Sequence, residues 1–256
     1  MKLKIVRILI FAFIYIGVLI AQVNTESMRK ENAAEGFENT LGFEFGFEKS
    51  DQEVMEIVGE YRIDYYSSGG LHTFLILNYE NGYEKESSEK NTIVNKGFGH
   101  LRMTKNISSN LYIELFSQFG FNDFLLMKDR KLYGSGLRYK VIGNDKLNAF
   151  VGIGAMKEDE KYSLETENYK SLYRSTNYIR WQISLSDNAT LNNTAYYQLD
   201  TSKPKDHRIL YDGDFEFELN EKLTFTFTLN YRYDNDPHGT LGKTYIQVGN
   251  GIEFSF

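Results

Sequence analysis

The chain has 256 residues, a formal net charge of −6, no cysteine, two prolines, and 19 phenylalanines and 19 tyrosines beside one tryptophan. The lack of cysteine excludes disulfide bonds, a cysteine-based zinc site and a cysteine nucleophile. The aromatic content of 15% argues against a disordered chain, and the mean hydropathy of −0.44 argues against a bundle of transmembrane helices. The acidic balance gives no reason to expect a nucleic-acid partner.

The first 21 residues have the pattern of a secretory signal peptide. Lys2, Lys4 and Arg7 form a positive start, and residues 8–21 are an uncharged apolar run ending in the small Ala21. This run is shorter than the roughly 20 residues of a transmembrane helix and fits a signal-peptide core. We expect cleavage after Ala21 and a polar N-terminal tail at residues 22–35. The alternative is a single-span membrane anchor.

From residue 36 onward, apolar and polar side chains alternate, which is the pattern of β-strands. Phe43, Phe45 and Phe47 occupy one face of the first segment, and Glu44 and Gly46 occupy the other. The apolar face carries no charge here or in residues 209–219, 223–233 and 246–256. The alternation predicts twelve strands, at about 36–48, 53–66, 71–83, 92–104, 110–122, 130–141, 146–157, 173–185, 190–199, 207–219, 223–234 and 243–256.

Strand length, connections and glycine placement decide between a soluble β-sandwich or lipocalin-like barrel and a membrane barrel. Most predicted strands have ten or more residues, which suffices to cross a bilayer at a tilt, and short turns alternate with longer polar loops. Glycines lie on the polar face, where small residues relieve crowding inside a closed sheet. We therefore predict an all-β fold, an antiparallel transmembrane β-barrel of about 12 strands over residues 36–256. We expect the barrel to lie in the bacterial outer membrane, in contact with outer-membrane lipids.

The last strand ends on Phe256, with Phe254 and Ile252 on the same face. This ending resembles the C-terminal aromatic strand that the barrel-assembly machinery reads in bacterial outer-membrane proteins. We therefore expect Phe256 to be an assembly signal and that machinery to be a partner.

A more specific resemblance lies in the middle of the chain. It rests on residues 114–118 (ELFSQ), Asn122, residues 129–139 (DRKLYGSGLRY), residues 152–154 (GIG) and Glu158. This block of about 50 residues resembles the salt-induced outer-membrane protein family, an uncharacterised family (domain of unknown function 481). The resemblance implies a bacterial outer-membrane barrel and a link to salt or osmotic stress, but no catalytic site.

The same alternation assigns charged residues to the lumen. The basic ones are Arg138, Lys140, Arg174 and Arg180. The acidic ones are Glu44, Glu60, Asp64, Glu114, Asp212, Asp214, Glu216, Glu218 and Glu253. Because most of the acids come from strands near the two chain ends, closure should give an acidic wall facing a basic wall. Two interpretations stay open, a lumen plugged by ion pairs and a wet pore crossed by a transverse field.

No pattern of catalytic residues is apparent. GxSxG, HExxH and P-loop motifs are missing. His72 and His100 share the lumen face, but the expected pairing sets His72 opposite Thr104, about 13 Å from His100. The acidic residues 157–167 suit a solvated loop or a weak divalent-cation site. We predict no cofactor, metal site or catalytic residue, and a structural barrel or a channel for small solutes or ions. The alternative is an outer-membrane enzyme acting on lipid or envelope substrates.

Overall fold

The computed structural model describes residues 26, 29, 35–49, 52–86, 89–166, 168–237 and 242–256. These residues form a closed antiparallel barrel in which each strand pairs with its sequence neighbours and the last strand pairs with the first. The strands are β1 (Gly36–Lys49), β2 (Gln52–Tyr66), β3 (Leu71–Glu86), β4 (Glu89–Ser108), β5 (Leu111–Asn122), β6 (Met127–Gly143), β7 (Leu147–Tyr162), β8 (Tyr169–Ser186), β9 (Ala189–Asp200), β10 (His207–Asn220), β11 (Leu223–Asp234) and β12 (Thr244–Ser255). The expected signal peptide lies outside the described residues and stays a prediction.

The twelve predicted strands are confirmed, but several are longer than predicted. The expected loop at residues 158–172 is mostly strand, because β7 continues to Tyr162 and β8 begins at Tyr169. The alternation continues through this extension, so Glu158 and Glu160 are buried inside the barrel. The prediction of a solvated acidic loop there was wrong, since the two carboxylates pair with arginines. The expected loop at residues 84–91 is likewise mostly strand.

The barrel has an apolar outside and a charged inside, the reverse of a soluble protein. Phe43 is 60% exposed and Ile153 is 62% exposed, whereas Arg174 and Asp64 are fully buried. A closed barrel leaves no unpaired sheet edge, and its apolar outer surface matches lipid. The protein is therefore an outer-membrane β-barrel. The described part of the chain contains no helix long and apolar enough to cross a membrane.

Connection lengths define the two ends of the barrel. The start of β1 and the end of β12 lie at the end with the turns at residues 67–70, 109–110, 144–146, 187–188 and 221–222. Short turns occur on the periplasmic side of outer-membrane barrels, so we name this the periplasmic end and the opposite one the outer end. At the outer end, a short 3₁₀ helix at Asp123–Leu125 follows β5 and is capped by the side chain of Asn122. Leu125 packs there with Met127 and Tyr162.

The seam between β1 and β12 is the shortest pairing in the barrel. It consists of four residue pairs, from Thr40 opposite Ser255 to Phe43 opposite Ile252, whereas β1 and β2 share fourteen. Phe256 extends the seam, because its backbone N–H donates to Asn39 O at 3.1 Å and its carbonyl accepts from Asn39 N at 3.3 Å. The Phe256 ring is 62% exposed on the outside. Its expected role as an assembly signal stays a prediction.

Two lumen-facing glycines differ in what surrounds them. A Cβ on Gly152 would overlap the ring of Tyr178 on the adjacent strand, whereas a Cβ on Gly42 would lie 3.5 Å from Glu60 Cβ, an ordinary contact. We expect Gly152→Ala to lower the free energy of unfolding by about 1 to 3 kcal/mol through overpacking. Gly42→Ala, the matched control, should be neutral or stabilising by up to about 1 kcal/mol. Urea unfolding followed by the fluorescence of the single tryptophan measures both, and equal effects would contradict the ring contact.

Candidate functional site

The lumen is divided into a densely packed basic side and an open acidic side. The basic side is built by β4, β6, β8 and β10, which contribute the buried Arg102, Arg130, Arg138, Arg174, Arg180 and Arg208. Three of the four basic residues expected in the lumen are in this group. The fourth, Lys140, is half-buried near the periplasmic end, with its ammonium nitrogen 5.7 Å from the centre of the Phe150 ring.

Toward the outer end, three arginines surround the carboxylate of Glu158; we call this group the outer cluster. Arg130 Nη2, Arg174 Nε and Arg208 Nη1 lie 2.5, 2.7 and 3.0 Å from the Glu158 oxygens. Glu160 adds ion pairs to Arg130 at 3.2 Å and Arg208 at 3.6 Å. The group is fully buried and fills this part of the lumen, so it acts as a fixed internal brace.

Asp206, in the loop before β10, adds a carboxylate to the outer cluster. Asp206 precedes β10 and accepts a hydrogen bond from Arg174 Nη1 at 2.9 Å and one from Lys170 Nζ at 2.9 Å. Burial alone would raise the pKa of the Asp206 carboxyl, but these two hydrogen bonds hold that pKa below its ordinary value. The carboxylate therefore stays ionised at neutral pH and ties the loop to the barrel.

Nearer the periplasmic end, the N-terminal tail enters the basic side; we call this group the tail cluster. Glu26 is fully buried, and its carboxylate lies 2.6 Å from Arg102 Nη1, 3.2 Å from Arg138 Nε and 3.7 Å from Arg180 Nη1. Arg29 is buried beside it and contacts Glu26 at 3.0 Å and Glu114 at 2.5 Å. The tail thus supplies both a carboxylate and a guanidinium to the interior.

On the expected basic wall, the arrangement corresponds to the interpretation of a lumen filled by ion pairs. Its guanidinium groups are engaged by Glu26, Glu114, Glu158, Glu160 and Asp206, so that side is largely neutralised and filled. Glu114 was expected to be an acidic lumen residue, but it lies within the basic side, where Tyr178 Oη donates to it at 2.8 Å. Glu114 lies on β5, whose neighbours β4 and β6 carry Arg102 and Arg138, and it pairs with the basic groups nearby. Dividing the strands into acidic and basic groups from the sequence overlooks such a pairing.

The acidic side keeps open space. A cavity of about 250 Å³ is lined by seven carboxylates and three arginines, so it has a formal excess of four negative charges. The carboxylates are Glu44, Glu60, Glu80, Asp212, Asp214, Glu216 and Glu253. Asp64, also expected here, is instead fully buried beside the cavity, where it pairs with Arg62 and with His72 at 2.8 Å.

A wider vestibule adjoins this cavity at the periplasmic end. Its volume is about 940 Å³, and it shares Arg29, Glu216 and Glu253 with the acidic cavity. Glu218 and Lys140, both expected in the lumen, line the vestibule. A continuous acidic surface therefore runs from the periplasmic end into the cavity.

His72 and His100 lie on the lumen face of adjacent strands but are not paired with each other. The predicted register is confirmed, with His72 opposite Thr104 and His100 opposite Ile76. The hydrogen-bond partners of His72 among the described residues are Asp64 at 2.8 Å and Arg29 at 3.5 Å, and neither is a hydroxyl or a thiol. No group of three or more His, Asp and Glu side chains in the described ranges is arranged to hold a metal ion.

The alternation could have identified most of the functional residues that our sequence analysis missed. Arg62, Arg102, Arg130, Arg208 and Arg232 have the same parity as the lumen residues that were assigned. Glu26 and Arg29 carried no such signal, because the tail shows no periodicity. Their place inside the barrel is visible only in the folded structure.

Comparisons with known proteins agree with the architecture. The translocator domain of autotransporter NalP from Neisseria meningitidis has a TM-score of 0.51 at 10% identity, covering 88% of this chain and 90% of that chain. The NanC porin has a TM-score of 0.48 at 9% identity, covering 85% and 97%. At 10% identity, the likeness to the NalP domain shows a shared fold alone. None of the curated proteins compared with the chain matched it. A family model with the description "Protein of unknown function, DUF481" matches residues 32–256, so the chain belongs to this family.

Proposed function

We propose that the protein is a narrow outer-membrane pore that favours small cations, which pass along the acidic side of the lumen. The observation that carries this proposal is the unbalanced charge of the acidic cavity. Charge fixed on the wall of a narrow, low-dielectric passage acts on every ion that enters it.

Two of the three cavity arginines pair with acids outside the cavity, and the third pairs with a cavity acid. Arg62 pairs with Asp64, Arg29 pairs with Glu26 and Glu114, and Arg232 pairs with Asp212 at 2.6 Å. Glu80 likewise pairs with Lys96, at 2.9 Å.

Three cavity carboxylates stand apart from such pairs. Among the described residues, Asp214, Glu44 and Glu253 have no lysine or arginine nitrogen within 4 Å. They come from three different strands, β10, β1 and β12, which closure of the barrel brings together. A cation in the cavity would balance the negative charge of these carboxylates.

Acidic side chains are spread along the length of the lumen. Glu218 lies in the periplasmic vestibule, and Glu44, nearer the outer end, is solvent-exposed despite facing inward. Acidic side chains therefore line the lumen from the vestibule to the upper part of β1.

Reversal potentials under a salt gradient in planar bilayers test the proposal. We expect cation preference in the wild type and a shift toward anions in the variant Asp214→Asn, Glu216→Gln, Glu253→Gln. The charge-matched control Glu89→Gln, Glu165→Gln, Asp187→Asn neutralises three exposed acids outside the cavity and should leave the reversal potential unchanged. A wild type without channel events would favour the structural barrel, and a triple variant with unchanged selectivity would place the conduction path elsewhere.

An enzymatic function has weaker support, because two arginines lie against the His72–Asp64 pair and no hydroxyl among the described residues is hydrogen-bonded to His72. We therefore propose that the barrel is not an enzyme. The link to salt or osmotic stress implied by the sequence resemblance stays a prediction.

A further inference from the structure

The tail cluster holds a carboxylate that does not belong to the barrel wall. Glu26 comes from the N-terminal tail, yet Arg102, Arg138 and Arg180 reach it from three alternate strands, β4, β6 and β8. All four side chains are at least 96% buried. Charged groups this deep in a protein persist when they have complementary partners, so the wall is built to receive a carboxylate.

The backbone of the tail is recognised as well. Arg180 donates from Nη1 to the Glu26 carbonyl at 2.8 Å and from Nη2 to the Arg29 carbonyl at 2.5 Å. Arg29 donates to Thr104 Oγ1 on β4 at 2.8 Å. Residues 26 and 29 are therefore bound in the lumen by ion pairs and by hydrogen bonds from several strands of the wall.

Aromatic rings of the wall orient the guanidinium groups independently of the tail. The Arg138 guanidinium carbon lies 3.5 Å from the centre of the Phe150 ring, and that of Arg102 lies 5.0 Å from the Phe116 ring. Such cation–π contacts fix the direction of the guanidinium groups. The site is therefore pre-organised by wall residues, which lowers the cost of binding.

We propose that Arg102, Arg138 and Arg180 form a carboxylate-binding site inside the lumen, that Glu26 occupies it as an intramolecular ligand, and that small polycarboxylate solutes bind the same guanidinium groups when the tail leaves. The periplasmic vestibule gives access, because Arg29 lines it. The binding site goes beyond the proposed pore and requires no conduction.

Binding in trans tests the intramolecular part. A barrel that lacks residues 22–31 keeps the whole region matched by the family model. We expect it to bind a fluorescent peptide of residues 22–32, measured by anisotropy in detergent, and the peptide with Glu26→Gln to bind at least about tenfold more weakly, since bonds to a charged carboxylate are lost. Equal affinity of the two peptides, or no binding of either, would overturn the assignment of Glu26 as the ligand.

Citrate is the probe for solutes. It should displace the peptide, while sodium chloride at equal ionic strength should displace it much less, because a screened, non-specific attraction depends on ionic strength alone. Equal displacement by the two salts would overturn the solute part of the proposal. All of these measurements are made without current, so their failure leaves the proposed pore untouched.

A full-length variant covers the case in which the shortened barrel does not fold. In Glu26→Gln the tail no longer presents a carboxylate, so citrate should raise the thermal unfolding midpoint of this variant more than that of the wild type, whose site is already filled. The same response in both proteins would contradict competition between citrate and Glu26.

Discussion

Replacing Glu158 with glutamine should lower the free energy of unfolding by about 3 to 5 kcal/mol. Glu158 is 1% exposed and pairs with Arg130, Arg174 and Arg208 at distances of 2.5 to 3.0 Å. Removing one charge from a buried ionic group is costly because its partners remain buried with their charges less compensated. Glutamine has nearly the same shape, so the loss would come from charge rather than from a cavity. Urea unfolding in detergent micelles, followed by tryptophan fluorescence, gives the measurement.

The neighbouring Asp159 offers a matched control. It follows Glu158 on the same strand but faces outward at the rim, where it pairs with Lys157 at 3.6 Å. Exposed ion pairs contribute about 0 to 1 kcal/mol, so Asp159→Asn should change stability little. If the two substitutions had equal effects, the outer cluster would not be the brace that its geometry suggests.

The second large effect concerns the lipid-facing surface. Phe227→Arg should destabilise the folded barrel by about 2 to 4 kcal/mol if the side chain lies near the bilayer midplane. Phe227 is 39% exposed on the outside, in the middle of β11 and opposite Phe215. An arginine at this position would place a charge against hydrocarbon. The measurement is the folded fraction in phospholipid vesicles, read from the difference in gel migration between heated and unheated samples.

The control for Phe227→Arg is the same substitution one residue later. Thr228 faces the acidic cavity, lies opposite Asp214, and has Gly249 on its other side. An arginine there would find space and negative charge, so Thr228→Arg should fold nearly as well as the wild type. A similar loss of folded protein in the two variants would show that the assignment of faces is wrong.

The sequence predicted the strands and faces well because both follow from a local pattern. Membrane strands alternate along their whole length, so positions such as Phe227 and Asp214 could be assigned to lipid and lumen from parity alone. The predicted ends of the strands were less accurate where polar residues continued the alternation. Glu158, Glu160 and Tyr162 keep the pattern of β7, but their polarity was interpreted as a loop.

The division of the lumen could not be predicted in the same way. Parity places Arg138 and Arg180 inside but does not show which carboxylate they meet, because that depends on which strands face each other across the barrel. The position of Glu26 could not be predicted from the sequence for a further reason. A single residue from an aperiodic tail contributes one ion-paired carboxylate, and neither composition nor spacing distinguishes it from other polar residues.

The four-pair seam between β1 and β12 affects how the chain is made. Thr40 and Ser255 pair although they are 215 positions apart in the sequence, and contacts between such distant residues form slowly. The N-terminal strand is made first, so β1 waits with one hydrogen-bonding edge unpaired until the final residues arrive. An unpaired strand edge beside exposed phenylalanines can pair with the same edge of another copy. Closure of the β1–β12 seam therefore competes with self-association of chains in which β12 has not yet paired.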